Sequence, residues 1–226
     1  MTATVRLDLH VHSRHSPDGR MEVDEIVDQL AYTGVQGFAL TDHNTVAGHA
    51  RLRELAAKFP MYWFVPGVEV STREGHLLLY GVDEAPPAHR PLAETLDWAR
   101  ARAAVSVLAH PFRWAHGVGR ALAEQAPVTA LETKNGHNAE IANARAEFVA
   151  AHRAIGATGG SDAHRRRDVG RAFTELSAEV ASVDDVLDRL RHGLSKGSGT
   201  SLTFGERIRV STQTALSRVA RGFRSI

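Results

Sequence analysis

The sequence predicts an α/β barrel whose functional groups gather on one rim of the strands. Short apolar runs alternate with longer amphipathic stretches along 226 residues, the pattern of repeated strand–helix units. About seven such runs occur, a number that suits a closed barrel better than an open sheet. Histidines and carboxylates fall where those runs end, and in β/α barrels the chemistry collects at the ends of strands.

Residues 5–12 read as the first strand. Val23, Ile26, Val27 and Leu30 recur at helical spacing over 23–33, and Gly34 is placed to end that helix. Residues 37–40 form the second strand, and 47–59 a helix stopped by Pro60. The third strand, 62–65, is expected to halt at Pro66-Gly67, with 68–71 and 76–80 paired as a hairpin. A helix over 91–103 carries Leu92, Thr95, Leu96 and Ala99 on one face. Strands follow at 105–109 and 128–133, then a helix at 139–154 and a small-residue strand at 155–161. A strand at 172–176 and a helix at 183–192 end the regular part.

From Gly193 the character changes. Residues 194–205 are rich in Ser, Gly and Thr and read as a linker or loop. Beyond them Ile208, Thr212, Ala215, Val219 and Phe223 fit one face of a basic helix. The expected organisation is one domain over 1–192, then a Ser/Gly-rich linker with a basic helix or tail over 193–226.

Hydrophobic residues make up 43% and charged ones 23%, the balance of an ordinary globular domain. A net charge of +1 supplies no bulk attraction to nucleic acid or an anionic membrane. There is no cysteine, so disulfides are excluded and any metal must be held by nitrogen and oxygen. Met1 to Arg6 contains no apolar leader core, and no apolar run approaches the ~20 residues a membrane helix needs. The expectation is a cytoplasmic protein with no membrane span.

The candidate ligands are His10, His12, Asp18, His43, Glu69, His110, Asp162 and His164. His10 and His12 are two apart on a strand and project from one face, so both can grip a single ion. Asp8 on that face is expected to accept an imidazole N–H and so set its tautomer. Asp162-Ala163-His164 repeats the spacing near the other end of the domain. Each motif alone is ambiguous: His-x-His arises by chance, and Ser16-Pro17-Asp18-Gly19 is also a turn signature. Six such motifs, each at the exit of a predicted strand, point to a shared metal site.

The set Asp8-Leu9-His10-Val11-His12, Ser16-Pro17-Asp18-Gly19, Thr41-Asp42-His43, Gly67-Val68-Glu69, Ala109-His110-Pro111 and Gly160-Ser161-Asp162-Ala163-His164 resembles the polymerase and histidinol phosphatase (PHP) superfamily. The resemblance covers residues 5 to about 192. It implies a distorted seven-stranded β/α barrel with two or three divalent metals at the C-terminal rim of the strands. It further implies that His10, His12, Glu69 and Asp162 hold one metal and that Glu69 and His110 share a second. Asp18, His43 and His164 would hold the third. Many relatives add a histidine to the second site shortly before the fifth-strand glutamate. The stretch 127–132 has none, and His137 is the nearest substitute.

The expected activity is hydrolysis of a small phosphate monoester, a nucleotide among the candidates, by metal-activated hydroxide. Mn²⁺, Zn²⁺ or Fe²⁺ suits such imidazole- and carboxylate-rich sites better than Mg²⁺. His137 is a candidate proton donor to the leaving alcohol, and Arg113 and Asn135 are candidate substrate contacts. With no obvious aromatic stacking platform, the chain suits a small ligand. The alternatives are a 5′-3′ exonuclease, supported by Arg165-Arg166-Arg167 and the basic tail, a histidinol-phosphate phosphatase, and, least favoured, a metal-binding scaffold without activity. A C–N hydrolase would be expected to carry a bridging lysine in mid-barrel, and Lys58 and Lys134 lie in no matching context. His76 reads as a packing or surface residue, and His15, His49, His89, His116, His152 and His192 as solvated or structural.

Overall fold

A computed structural model describes residues 4–176, 180–203, 205 and 206. Among these described residues nine strands form one sheet: β1 (Val5–Val11), β2 (Gly37–Leu40), β3 (Trp63–Ser71), β4 (His76–Tyr80), β5 (Val105–Leu108), β6 (Ala130–Asn135), β7 (Gly156–Gly160), β8 (Ala172–Leu176) and β9 (Ser195–Gly199). Six α-helices connect or flank them: α1 (Val23–Leu30), α2 (His49–Lys58), α3 (Leu92–Ala101), α4 (Gly119–Gln125), α5 (Glu140–Arg153) and α6 (Val183–Arg191).

The order across the sheet is β7-β6-β5-β4-β3-β2-β1-β8-β9. Strands β1, β2 and β3 run parallel, as do β5, β6 and β7, while β4 lies antiparallel to both neighbours. β8 and β9 continue antiparallel beyond β1. The sheet then curls until its two sides nearly meet. Thr174 Oγ1 on β8 accepts from Gly159 N on β7 and donates to Gly159 O, both at 2.9 Å. The residues just past β7 hydrogen-bond to β1, with Asp162 N donating to His10 O at 2.7 Å and His12 N to Ala163 O at 3.0 Å. The result is the predicted α/β barrel, nearly closed and distorted by its antiparallel strands. That closure brings the two His/Asp-bearing motifs from opposite ends of the chain into contact.

Three apolar clusters fill the fold. Leu7, Leu9, Val65, Leu78, Tyr80, Val105 and Val107 gather with Val186, Leu187 and Leu190 of α6. Within this cluster the buried Tyr80 hydroxyl donates to Leu9 O at 2.8 Å, satisfying the polar end of the largest fully buried side chain. Helices α1 and α2 bury Ile26, Leu30, Leu52 and Leu55 with Phe38 and Phe64, and α3 and α5 pack against Val68, Val70, Leu77 and Leu79. Helix α6 begins at Ser182, whose side chain accepts from Asp185 N, so one of the unpaired amides of the first turn is satisfied.

Three expectations change. β3 runs through Pro66-Gly67 instead of halting there. Pro66 sits opposite Leu40 and gives its carbonyl to Gly81 N at 2.9 Å, so the missing N–H costs the ladder little. Helix α4 was not expected, because its seven residues offer only Ala123 as a buried position and so carry no apolar period. β9 lies within the stretch read as a linker. Its small residues suit a tight place, since a Cβ on Gly197 would lie 2.5 Å from Thr158 O. The predicted basic helix of the tail lies outside the described residues.

Candidate metal centre

The parallel strands end at one rim and deliver the predicted ligands there. His10 and His12 lie at the end of β1, and Thr41-Asp42-His43 follows β2. Asn44 N donates to Glu69 O at 2.9 Å, drawing His43 beside Glu69 on β3. His110 leaves β5 with φ 31°, and Asp162 leaves β7 with φ 57°. Positive φ is costly outside glycine, and here it turns both side chains at sharp exits from their strands.

All eight predicted ligands come together, most of them buried. Glu69 Oε2 lies 3.1 Å from His10 Nε2, 3.2 Å from His12 Nε2 and 3.2 Å from His43 Nδ1. Asp162 Oδ1 lies 3.6 Å from His10 Nε2, 3.4 Å from His12 Nε2 and 3.7 Å from His164 Nδ1. Asp18 Oδ2 meets His164 Nε2 at 3.1 Å and His43 Nε2 at 3.9 Å. Glu69 Oε1 meets His110 Nε2 at 3.1 Å.

Neighbouring groups set the imidazole tautomers. His10 Nδ1 lies 2.9 Å from Glu132 Oε1, so it carries the proton and donates, leaving the Nε2 lone pair towards Glu69 and Asp162. Ser16 Oγ gives its own proton to Asp42 Oδ1 at 3.0 Å and accepts from His43 N. It therefore accepts from His12 Nδ1 as well, at 3.0 Å, and His12 Nε2 likewise presents a lone pair to the carboxylates. His164 Nδ1 donates to Asp162 O at 2.8 Å, which turns its Nε2 lone pair to Asp18. Acceptors thus face acceptors across the centre. The buried atoms His10 Nε2, His12 Nε2, Asp18 Oδ1, His43 Nδ1, His110 Nδ1, His137 Nε2 and His164 Nε2 have no hydrogen-bond partner. Leaving so many buried polar atoms unpaired is costly unless cations bind there, so the donor set fits divalent metal.

Proton affinities show the same mismatch. Burial pulls the His10 imidazole down, but the charges of Glu69, Glu132 and Asp162 outweigh it and hold the ring well above its usual value. His12 is buried too, yet Asp162 and Glu69 raise it to about 10. Burial alone would raise Glu69, but the facing His10, His43 and His76 keep it well below the carboxylate range. His43 is driven down to about 3 chiefly by burial, and His110 falls well below its usual value for the same reason, helped by Arg113. Without metal, protons must balance the carboxylates at His10 and His12.

His76, expected chiefly as a packing or surface residue, and Glu132, to which the sequence assigned no role, both belong to the centre. His76 Nδ1 lies 2.8 Å from Glu69 Oε1, and His43, Glu69 and His76 together form a potential ion-binding group. Its ring lies 5.3 Å from that of His110. His76, not His137, is therefore the histidine that joins Glu69 and His110. His137 groups instead with Asp162 and His164, and burial lowers its proton affinity. Glu132 accepts from His10 Nδ1, from His110 N at 2.7 Å and from Asn135 Nδ2 at 3.0 Å, tying β1, β5 and β6 together. Asp8 does not hold an imidazole as expected. It accepts from the amides of His10, Ser161 and Gly170, because the sheet closes over it.

Arg113 and Asn135 meet at Asp162 Oδ2. Arg113 Nη2 donates to that oxygen and to Asn135 Oδ1 at 2.7 Å, Arg113 Nε donates to Asn138 Oδ1, and Asn135 Nδ2 reaches Asp162 Oδ2 at 3.3 Å. Both hold the outer oxygen of Asp162 and leave Oδ1 towards the imidazoles. Replacing Glu132 with Gln keeps the volume but lets an amide face His10. Metal affinity is expected to fall about 10- to 100-fold, the usual cost of losing a partner behind a ligand, as read by titration against a fluorescent chelator.

A barrel whose parallel strands end in converging imidazoles and carboxylates defines a metal-centre protein of the α/β-barrel class. The comparisons place it further: the family model for the PHP domain matches residues 8–108, and that for the PHP-associated region matches 140–194. The chain belongs to the PHP family. It is 40% identical over 87 residues to a phosphoribosyl 1,2-cyclic phosphate 1,2-diphosphodiesterase of Eggerthella lenta, covering 36% of this chain and 32% of that protein. It is 35% identical over 108 residues to a 5′-3′ exoribonuclease of Haemophilus influenzae, covering 46% and 39%. These matches span only about a third of the length of those two relatives. A two-domain protein of Bacteroides vulgatus, described as containing a predicted PHP-like metal-dependent phosphoesterase, shares the fold with a TM-score of 0.75 at 18% identity, over 94% of this chain and 70% of that one. Among the described residues, no helix is long and apolar enough to cross a membrane.

Proposed function

We propose that this protein is a metal-dependent phosphoesterase acting on a small phosphate monoester. The observation that carries the reading is the ring of buried imidazole nitrogens converging on Glu69, Asp162 and Asp18, several of them without a hydrogen-bond partner. His10, His12, Glu69 and Asp162 would hold one ion, and Glu69, His110 and His76 a second. Asp18, His43 and His164 would hold a third. Divalent ions at such a centre lower the pKa of water and neutralise phosphate oxygens. Mn²⁺, Zn²⁺ and Fe²⁺ match the donor set.

The protein's own residues do the positioning. Glu132 and the Ser16–Asp42 pair lock His10 and His12 in the ligating tautomer, and Arg113 and Asn135 aim Asp162. Burial lowers the proton affinity of His137, which lies beside Asp162 and His164 within reach of a leaving group at the centre. An exonuclease track is less well supported. Arg166 pairs with Glu25 at 3.4 Å and Arg167 lies 3.8 Å from Asp168, so the run beside His164 is partly neutralised by acids.

The test is phosphate release from a panel of nucleoside monophosphates and bisphosphates, sugar phosphates, histidinol phosphate and short oligonucleotides, with Mn²⁺ and with chelator. Metal-dependent release from a monoester that vanishes in His10→Ala is expected. Turnover of oligonucleotides alone, or none with metal bound, overturns the assignment.

A further inference from the structure

Trp114 has a fully exposed side chain, at 102% of its reference area, on the loop between β5 and α4. An indole wholly in water offers both its faces to a planar partner. The loop is not loose. Arg113 N donates to His110 O at 2.9 Å, Gly119 N to Pro111 O at 3.0 Å, and His76 N to His116 O at 3.1 Å. Its turn is tight enough that a Cβ on Gly117 would lie 2.4 Å from Arg113 O.

The neighbours of Trp114 tie it to the metal centre on both sides. Arg113 reaches Asp162 and Asn135, while the His116 ring stacks on that of His76 at 4.8 Å and 24°. His76 in turn touches Glu69. The loop therefore bridges the centre from its Asp162 side to its Glu69 side and carries an exposed indole between those two anchors. A hydrogen-bonded loop that exposes an indole between two residues in contact with the centre has the makings of a stacking surface.

We propose that Trp114 is the platform on which a nucleobase stacks, so that the phosphate esters taken by this centre are nucleotides. The proposal rests on the phosphoesterase reading and assigns its substrate class. It also supplies the aromatic surface that was not evident in the sequence. The nucleobase would lie against the indole while the phosphate enters among the imidazoles.

The test measures binding by calorimetry to the metal-loaded protein, using the non-hydrolysable phosphonate analogues of AMP and of ribose 5-phosphate. Wild type is expected to bind the AMP analogue about tenfold or more tightly than the ribose analogue, the range expected for one stacked base. That preference is expected to collapse in Trp114→Ala, to survive in part in Trp114→Phe, and to be accompanied by quenching of indole emission that Trp114→Phe lacks. An AMP preference that persists in Trp114→Ala, no preference in wild type, or no binding of either analogue overturns it. The phosphoesterase reading fails separately, through absence of phosphate release from every monoester of the panel, whatever the binding preference.

Discussion

Replacing Glu69 with Gln is expected to empty the metal centre while leaving the fold intact. Glu69 is wholly enclosed, and its two oxygens touch five imidazoles: His10, His12 and His43 at Oε2, and His76 and His110 at Oε1. Among the described residues no other side chain contacts so many of the clustered imidazoles. The amide has the same shape, so packing survives, but the bridging charge is gone. A ligand that binds only the folded state stabilises it by about 2.7 kcal/mol at a hundredfold excess over Kd. For a domain of this size each kcal/mol moves Tm by about 2–4 °C, so wild type should gain about 5–10 °C on saturation with Mn²⁺. The variant should gain almost nothing. Bound metal by elemental analysis should fall to a fraction of wild type, and phosphate release about a thousandfold, the worth of several kcal/mol of lost metal assistance. Retention of wild-type metal content and thermal shift would remove Glu69 from the centre.

The second large effect is expected at Gly160, which occupies the seam where the barrel closes. A Cβ there would lie 2.3 Å from His10 Cβ and 2.7 Å from His10 N, against the backbone that presents the first ligand. No side-chain movement relieves a clash with main chain, so Gly160→Ala must part β7 from β1. Overpacking of this kind costs about 1–3 kcal/mol. A fall in Tm of about 2–12 °C is expected for the metal-free protein. Metal affinity should weaken as well, because His10 and Asp162 flank the same seam. Gly205→Ala is the control: nothing lies within 4 Å of a Cβ at that exposed position, and its Tm should match wild type. Equal melting of the two variants would mean that the seam tolerates separation.

Much of this centre was legible before folding because its signals are local. A histidine pair at i and i+2 shares a face whatever surrounds it, as His10 and His12 do. An apolar run followed by Asp42-His43, His110 or Asp162-Ala163-His164 marks the end of a parallel strand, and parallel strands in a barrel end together. These features gathered the eight candidate ligands towards one rim and identified the α/β barrel.

What the sequence left open depends on direction and closure, which no local pattern encodes. His76 opens a strand, and the rule about strand ends passes over it. β4 runs antiparallel, so its first residue arrives at the rim where the parallel strands finish. Glu132 is one acid in an ordinary strand until the barrel sets it between His10 and His110 N. Asp8 shares a strand face with His10, but the returning chain caps it with the amides of Ser161 and Gly170 before an imidazole can reach it. Trp114 is an unremarked loop residue until Arg113 and His116 anchor its neighbours on two sides of the centre. Residue type and period therefore determined which groups could bind metal. The tertiary structure decided which of them lie close enough to share an ion, and which side chains hold them in place, because those relations are distances between segments far apart in the chain.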